Sequence, residues 1–69
     1  MSKIRKIFAK NLKTFRKKKG LTQEQLAEQL KMSVRYLQLL EGKSTPNVKI
    51  ETLDLIAKSL KIKVKDLLS

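Results

Sequence analysis

Basic side chains are the functional groups that dominate this sequence. Of its 69 residues, 17 are Lys or Arg and six are Asp or Glu, which gives a formal net charge of +11. So positive a chain favours polyanionic partners, meaning nucleic acid or an anionic membrane surface. The chain contains neither His nor Cys. We therefore expect no disulfide, no metal site, no cofactor and no enzymatic activity, because the usual metal ligands and the usual general base are missing.

The positive charge is concentrated at the N-terminus. Residues 1–20 contain nine basic residues and no acid, residues 21–60 contain five of each sign, and residues 61–69 have a net charge of +2. The length predicts a single small domain over residues 1–69, and 41% hydrophobic residues suffice for a modest core. No apolar run approaches the roughly 20 residues that span a bilayer. We expect no internal repeat and no linker.

The elements that must position these groups are predicted to be α-helices. Apolar residues recur every three to four positions over residues 3–19, which predicts helix 1, and Gly20 would end it. Thr22 and Gln25 have the spacing of a capping box, which predicts that helix 2 begins there and runs to about Leu30.

Three further helices complete a predicted compact all-α five-helix bundle. Ser33 would cap helix 3, which runs to about Leu40, and Asn47 would cap helix 4. Residues 64–68 would form the short fifth helix. The buried stripe of helix 4 is predicted to contain Val48, Ile50, Leu53, Ile56, Ala57 and Leu60.

Residues 21–42 predict a helix-turn-helix. A link of about three residues is too short for antiparallel packing, so helices 2 and 3 must cross steeply, with the small Ala27 at their contact. A purely structural helical hairpin is the alternative. The apolar residues expected to set the crossing angle are Leu26, Leu30, Met32, Leu37 and Leu40.

On these residues the sequence resembles the Cro/cI-type, or XRE-like, helix-turn-helix family over about residues 8–68. FAKNLKTFRKKKGLTQEQLAEQL resembles the family's first two helices, SVRYLQLLEGK its recognition helix, and IETLDLIAKSLKI its fourth helix. The resemblance implies the lambda-repressor-like fold and a transcriptional regulator of the repressor type that binds double-stranded DNA sequence-specifically. It further implies a homodimer on a palindromic operator, no small-molecule ligand and no membrane, and a cytoplasmic, nucleoid-associated protein of bacterial or phage origin.

The resemblance also implies roles for individual residues. Helix 3 would enter the major groove, where Arg35 can donate two hydrogen bonds to guanine and Gln38 can pair with adenine. Arg16 and Glu41 would form a partly buried structural ion pair. Base contacts are predicted for Val34, Arg35, Tyr36, Gln38 and Leu39, and phosphate contacts for Lys19, Thr22, Gln23, Ser33, Lys43, Ser44, Thr45 and Asn47.

Several positions depart from the family pattern. Lys31 replaces the usual glycine of the turn, so we expect a different backbone there, and Lys63 replaces the usual cap of helix 5, whose start we expect to fray. The loop between Glu41 and helix 4 is one residue longer than is usual in the family, so we expect Lys43 and Ser44 to be shifted along the DNA relative to the family pattern. The dimer surface is predicted at Leu55, Ile62, Val64, Leu67 and Leu68, unless the C-terminal members close the monomer core instead.

Two other classes of function fit the residues. The same fold can serve as a protein-interaction module or an antitoxin-like partner through Tyr36, Leu39 and Leu55. Alternatively, the basic amphipathic N-terminus can bind a membrane surface, which requires Phe8 and Phe15 to be exposed. The same segment also has the composition of a targeting peptide.

Overall fold

Five α-helices make up the structure, a computed structural model that describes residues 3–69. They are α1 (Lys3–Lys18), α2 (Gln23–Leu30), α3 (Val34–Glu41), α4 (Ile50–Leu60) and α5 (Val64–Leu68). No strand occurs within the described range, and the predicted all-α five-helix fold is confirmed. Residues 1 and 2 of the predicted domain lie outside the described part.

The five helices enclose one hydrophobic core. α1 packs against α3 and α5, α2 packs against α3 and α4, and α4 packs against α5. Each buried leucine or isoleucine contributes about 1.5–3 kcal/mol relative to an exposed position, so the core draws its stability from all five helices. Its fully buried members are Leu12, Leu26, Leu37, Leu40, Ile56, Leu60 and Leu67.

Local side-chain caps define the starts of α2 and α3, as the sequence predicted. Thr22 Oγ1 accepts a hydrogen bond from Gln25 N at 3.1 Å, and Gln25 Oε1 accepts one from Thr22 N at 2.8 Å. Ser33 Oγ accepts from Tyr36 N at 3.0 Å. Ala27 is buried between the helices, and its small side chain allows α2 and α3 to cross closely.

The turn between α2 and α3 retains a left-handed residue although that residue is a lysine. Lys31 has φ 54° and ψ 42°, and its N–H donates to the carbonyls of Ala27 and Glu28. Met32 N also donates to Ala27 O, at 3.0 Å. The expectation of a different backbone is therefore wrong. The strain on Lys31 is roughly 1–2 kcal/mol, and these capping hydrogen bonds and the packing of Met32 on the core offset it.

The turn between α4 and α5 has the same conformation, thirty positions later in the chain. Lys61 has φ 57° and ψ 44°, its N–H donates to Ala57 O and Lys58 O, and Ile62 N donates to Ala57 O at 2.9 Å. The expectation of no internal repeat is therefore corrected: α2–α3 and α4–α5 share a short repeated sequence pattern and the same turn conformation. Residues 26–37 and 56–67 share Ala27 and Ala57, Leu30 and Leu60, Lys31 and Lys61, Val34 and Val64, and Leu37 and Leu67.

α4 begins later than the sequence predicted. Its N-cap is Lys49, not Asn47, because the Asn47 side-chain oxygen accepts a hydrogen bond from the Arg5 guanidinium and Val48 packs on the core from the preceding loop. The later start changes which residues the helix buries. Ile50, predicted to lie in the buried stripe, is 81% exposed.

α5 begins with half of a capping box. Asp66 Oδ2 accepts a hydrogen bond from Lys63 N at 2.9 Å, whereas the Lys63 side chain makes no cap hydrogen bond. The expectation that Lys63 would leave this helix start frayed is corrected, since Asp66 supplies the missing cap from inside the helix.

Candidate nucleic-acid interface

α3 presents a polar face to solvent because its opposite face is anchored in the core. Leu37 and Leu40 are fully buried, and the helical period then turns Arg35, Gln38 and Leu39 outward, where all three are exposed. These three side chains line one open depression. The structure thus brings together three of the five residues predicted to contact bases.

The other two predicted base-contacting residues flank this face. Val34 and Tyr36 are half-buried and pack against the core. Each exposes part of its side chain beside Arg35 on the first turn of α3. They border the exposed surface rather than project from it.

A buried ion pair fixes the C-terminal end of α3 to α1. Arg16 Nε lies 2.7 Å from Glu41 Oε2, and Arg16 Nη2 donates to Glu41 Oε1 at 3.1 Å. The two side chains are 8% and 3% exposed. Arg16 Nη1 also donates to Leu21 O at 2.7 Å. The structure contains the ion pair that the sequence predicted, and the pair holds α1, α3 and the start of α2 in one arrangement.

The N-termini of α2 and α3 contain three of the residues predicted to contact phosphate. Thr22 and Ser33 are exposed N-caps, and the first amides of a helix have no acceptor within the helix. Gln23 Nε2 donates to Glu41 Oε1 at 3.2 Å. This bond uses one of the two hydrogens of the Gln23 side-chain amide.

The loop between α3 and α4 divides the predicted phosphate contacts. Lys43, Ser44 and Asn47 are exposed there, as is Lys19 after α1. Thr45 is 2% exposed, and its hydroxyl donates to Gly42 O at 2.9 Å and Leu40 O at 3.3 Å. The prediction that Thr45 contacts phosphate is therefore wrong, because its side chain caps the end of α3 from within the protein.

Sequence and structure comparisons place this arrangement in a family. A family profile described as helix-turn-helix matches residues 12–67, which is most of the chain. The chain belongs to the XRE-type helix-turn-helix family of DNA-binding regulators. No curated protein matches the sequence significantly.

Solved structures of similar proteins agree with this helix-turn-helix assignment. The clp gene regulator ClgR from Corynebacterium glutamicum is 33% identical, with 97% of this chain and 70% of that chain covered and a TM-score of 0.87. The restriction-modification controller C.AhdI from Aeromonas hydrophila is 28% identical, with 91% and 94% covered and a TM-score of 0.82. The C.Esp1396I controller tetramer bound to its 35 base-pair operator is 27% identical, with both chains fully covered and a TM-score of 0.81.

The residues predicted to form the dimer surface of this helix-turn-helix protein differ in their exposure. Leu55 is 46% exposed, whereas Leu67 is fully buried. Leu67 is therefore removed from the predicted surface, because it packs in the core. Ile62, Val64 and Leu68 are half-buried against the core and keep part of their surface accessible.

The apolar face of α1 is part of the core. Phe8 is buried, and Phe15 is half-buried against the core with Lys18 Nζ 5.5 Å from its ring centroid. The membrane-surface hypothesis requires both phenyl rings to be exposed, and in this fold both pack against the core. Arg16 in the same helix holds Glu41, so α1 is an integral part of the domain rather than a removable targeting segment. Within the described residues, no helix is long and apolar enough to cross a membrane.

Sequence reasoning missed a residue that holds the end of α5. Asn11 Nδ2 lies within hydrogen-bond distance of three carbonyl oxygens, those of Asp66, Leu67 and Ser69, at 3.3, 3.1 and 3.0 Å. The one indication in the sequence was an asparagine next to the apolar positions of helix 1. Its partners lie more than fifty residues away, so the sequence could not identify them.

Proposed function

We propose that this helix-turn-helix protein regulates transcription by binding duplex DNA sequence-specifically, with α3 in the major groove. The observation that carries the proposal is the outward face of Arg35, Gln38 and Leu39 on a helix fixed by its buried leucines and by the Arg16–Glu41 pair. The major groove is about 12 Å wide and accepts an α-helix. A helix held in this way needs little ordering when it binds.

Each residue on this face has a chemical preference for a base. Arg35 donates two hydrogen bonds to guanine O6 and N7, and Gln38 pairs with adenine N6 and N7. Leu39, which has no polar side-chain atom, suits the methyl group of thymine, as does the exposed part of Val34. Tyr36 contacts a base or a phosphate through its hydroxyl.

Phosphate contacts would hold α3 in register on the duplex. They come from the capped starts of α2 and α3 at Thr22, Gln23 and Ser33, and from the exposed side chains of Lys19, Lys43, Ser44 and Asn47. We expect about five or six phosphates to be neutralised per subunit, which lowers log affinity by roughly 0.9 per phosphate for each unit of log salt.

We further propose that two copies bind together. One domain of this size covers one half-site, and a two-fold dimer places two recognition helices about 34–36 Å apart. The exposed Leu55 and the accessible parts of Ile62, Val64 and Leu68 form the proposed dimer surface. Sedimentation that shows a monomer both free and on a palindromic duplex would refute it.

The experiment that tests the function is selection from random duplex oligonucleotides at fixed salt. The expected result is an enriched pair of half-sites whose centres lie about one helical turn, or a multiple of it, apart. Enrichment of no sequence over the starting pool would contradict the proposal. We further propose a cytoplasmic, nucleoid-associated location and a bacterial or phage origin, which the proposed binding of operator DNA supports.

A further inference from the structure

A row of lysines on α1 adjoins the end of α3. Lys6, Lys10 and Lys13 are exposed and follow one another at spacings of four and three residues, which places them on one face of the helix. Together with Lys43 from the loop after α3, they line a single open depression. We call Lys6, Lys10 and Lys13 the α1 lysine row.

The α1 lysine row has no acidic partner in the described part of the chain. The ion pairs there join Arg16 to Glu41 and Lys58 to Asp54. Glu41 borders the same depression, but its carboxylate is 3% exposed and bound to Arg16 and Gln23. The positive charge of the row is therefore uncompensated, and mutual repulsion of the lysines opposes folding. Such a surface suits an external anion.

The depression continues the face that we assign to base contacts. Gly42 lines it and is the C-cap of α3, three residues after Leu39 and four after Gln38. The α1 lysine row spans about 10 Å at 1.5 Å per residue. Neighbouring phosphates of one DNA strand are separated by an axial advance of about 3.4 Å and by a displacement around the duplex, so three lysines over about 10 Å can each meet one phosphate.

We propose that the α1 lysine row binds the phosphates that flank the base pairs contacted by α3, with Lys43 joining the two surfaces. This proposal rests on the proposed function and extends the DNA contact beyond the half-site. DNA is favoured over an anionic membrane because Phe8 and Leu12 of α1 are buried in the core. Among the large apolar side chains of α1 (Lys3–Lys18), Ile4 is the exposed one, and a single such side chain is too little apolar surface for insertion into a bilayer.

The test compares salt dependence of binding on two duplexes that carry the selected operator. One duplex ends at the outer edges of the half-sites, and the other extends about six base pairs further on each side, about twice the span of the row. For the K6Q/K10Q/K13Q variant, the slope of log affinity against log salt on the longer duplex should be shallower by about 2.7 per subunit, from three lost contacts. On the shorter duplex, the variant and the wild type should have equal slopes.

A variant with the same loss of charge provides the control. K61Q/K63Q/K65Q removes three exposed lysines elsewhere, and its slope on the longer duplex should equal that of the wild type. The melting temperature of K6Q/K10Q/K13Q should equal or exceed that of the wild type, since the row repels itself.

The outcomes separate the two proposals. If the wild type binds the operator but K6Q/K10Q/K13Q has the wild-type slope on both duplexes, the α1 lysine row does not bind DNA. An equal loss of slope on both duplexes would also contradict the proposal, as would binding of anionic phosphatidylserine vesicles that requires the row while DNA binding does not. If the wild type selects no operator, the proposed function itself fails.

Discussion

The α2–α3 and α4–α5 units have the same turn but end differently. Both turns contain a left-handed lysine that follows a leucine, at Lys31 and Lys61. α3 exposes Arg35, Gln38 and Leu39, whereas α5 packs Leu68, at the position that matches Gln38, on the core.

The two units are also attached to α1 by different chemistry. Arg16 holds the end of α3 through the charge of Glu41, and Asn11 holds the end of α5 through main-chain carbonyls. The comparison indicates that the turn and the buried residues build the fold. The outward side chains differ between the two units, and they determine the surface that each unit presents.

The largest difference between the units should appear when their attachments to α1 are removed. Arg16→Ala leaves the buried Glu41 charge unpaired and should lower the free energy of unfolding by about 3–5 kcal/mol. Asn11→Ala removes neutral hydrogen bonds near the surface and should cost about 1 kcal/mol. Urea denaturation measures both. Lys58→Ala, which breaks an exposed pair with Asp54, is the control and should change stability little. Equal losses for Arg16→Ala and Asn11→Ala would contradict the contrast.

The next effect concerns the equivalent leucines of the two units. Leu37 and Leu67 are both fully buried, so Leu37→Ala and Leu67→Ala should each lower the free energy of unfolding by about 2–5 kcal/mol. If Leu67 served the dimer instead, the loss for Leu67→Ala would depend on protein concentration. Denaturation at several concentrations distinguishes the two roles. Leu55→Ala, at the proposed dimer surface, should show such a concentration dependence, and Ile50→Ala, at a side chain that is 81% exposed, is the control outside that surface.

The smallest effect concerns the turns themselves. Glycine adopts the left-handed conformation without the side-chain strain but loses more backbone entropy on folding. Lys31→Gly and Lys61→Gly should therefore each stabilise the protein by about 0.5 kcal/mol, a net of these two opposing effects. Thermal unfolding under identical conditions measures both. If one of these variants is more stable than the wild type and the other less stable, the two turns are not energetically equivalent.

The sequence correctly predicted the helix starts that depend on hydrogen bonds between residues close together in the chain. Thr22, Gln25 and Ser33 form their caps within three residues of their partners, so α2 and α3 were predicted with starts that agree with the structure. The family pattern added the Arg16–Glu41 pair, which no local rule would supply.

Predictions of side-chain roles failed where the hydrogen-bond partner lies far away in the chain or precedes the residue instead of following it. Asn47 is bound by Arg5, 42 positions away, so it does not cap α4. The Thr45 hydroxyl donates back to carbonyls at the end of α3, and its polar side chain alone did not indicate this role. The repeat was missed because the caps differ and the outward residues differ, leaving a few buried and turn positions as the shared signal.

The most direct test of DNA recognition by α3 uses the equivalence of the two units. Arg35 and Lys65 occupy matching positions, both exposed, so Arg35→Ala and Lys65→Ala remove the same charge. The measurement is the ratio of affinities for the selected operator and for a scrambled duplex at one salt concentration. Arg35→Ala should reduce this ratio by about 1–3 kcal/mol, roughly 5- to 150-fold, while Lys65→Ala leaves it at the wild-type value. An unchanged ratio for Arg35→Ala, or an equal reduction for Lys65→Ala, would contradict the assignment of base contact to α3.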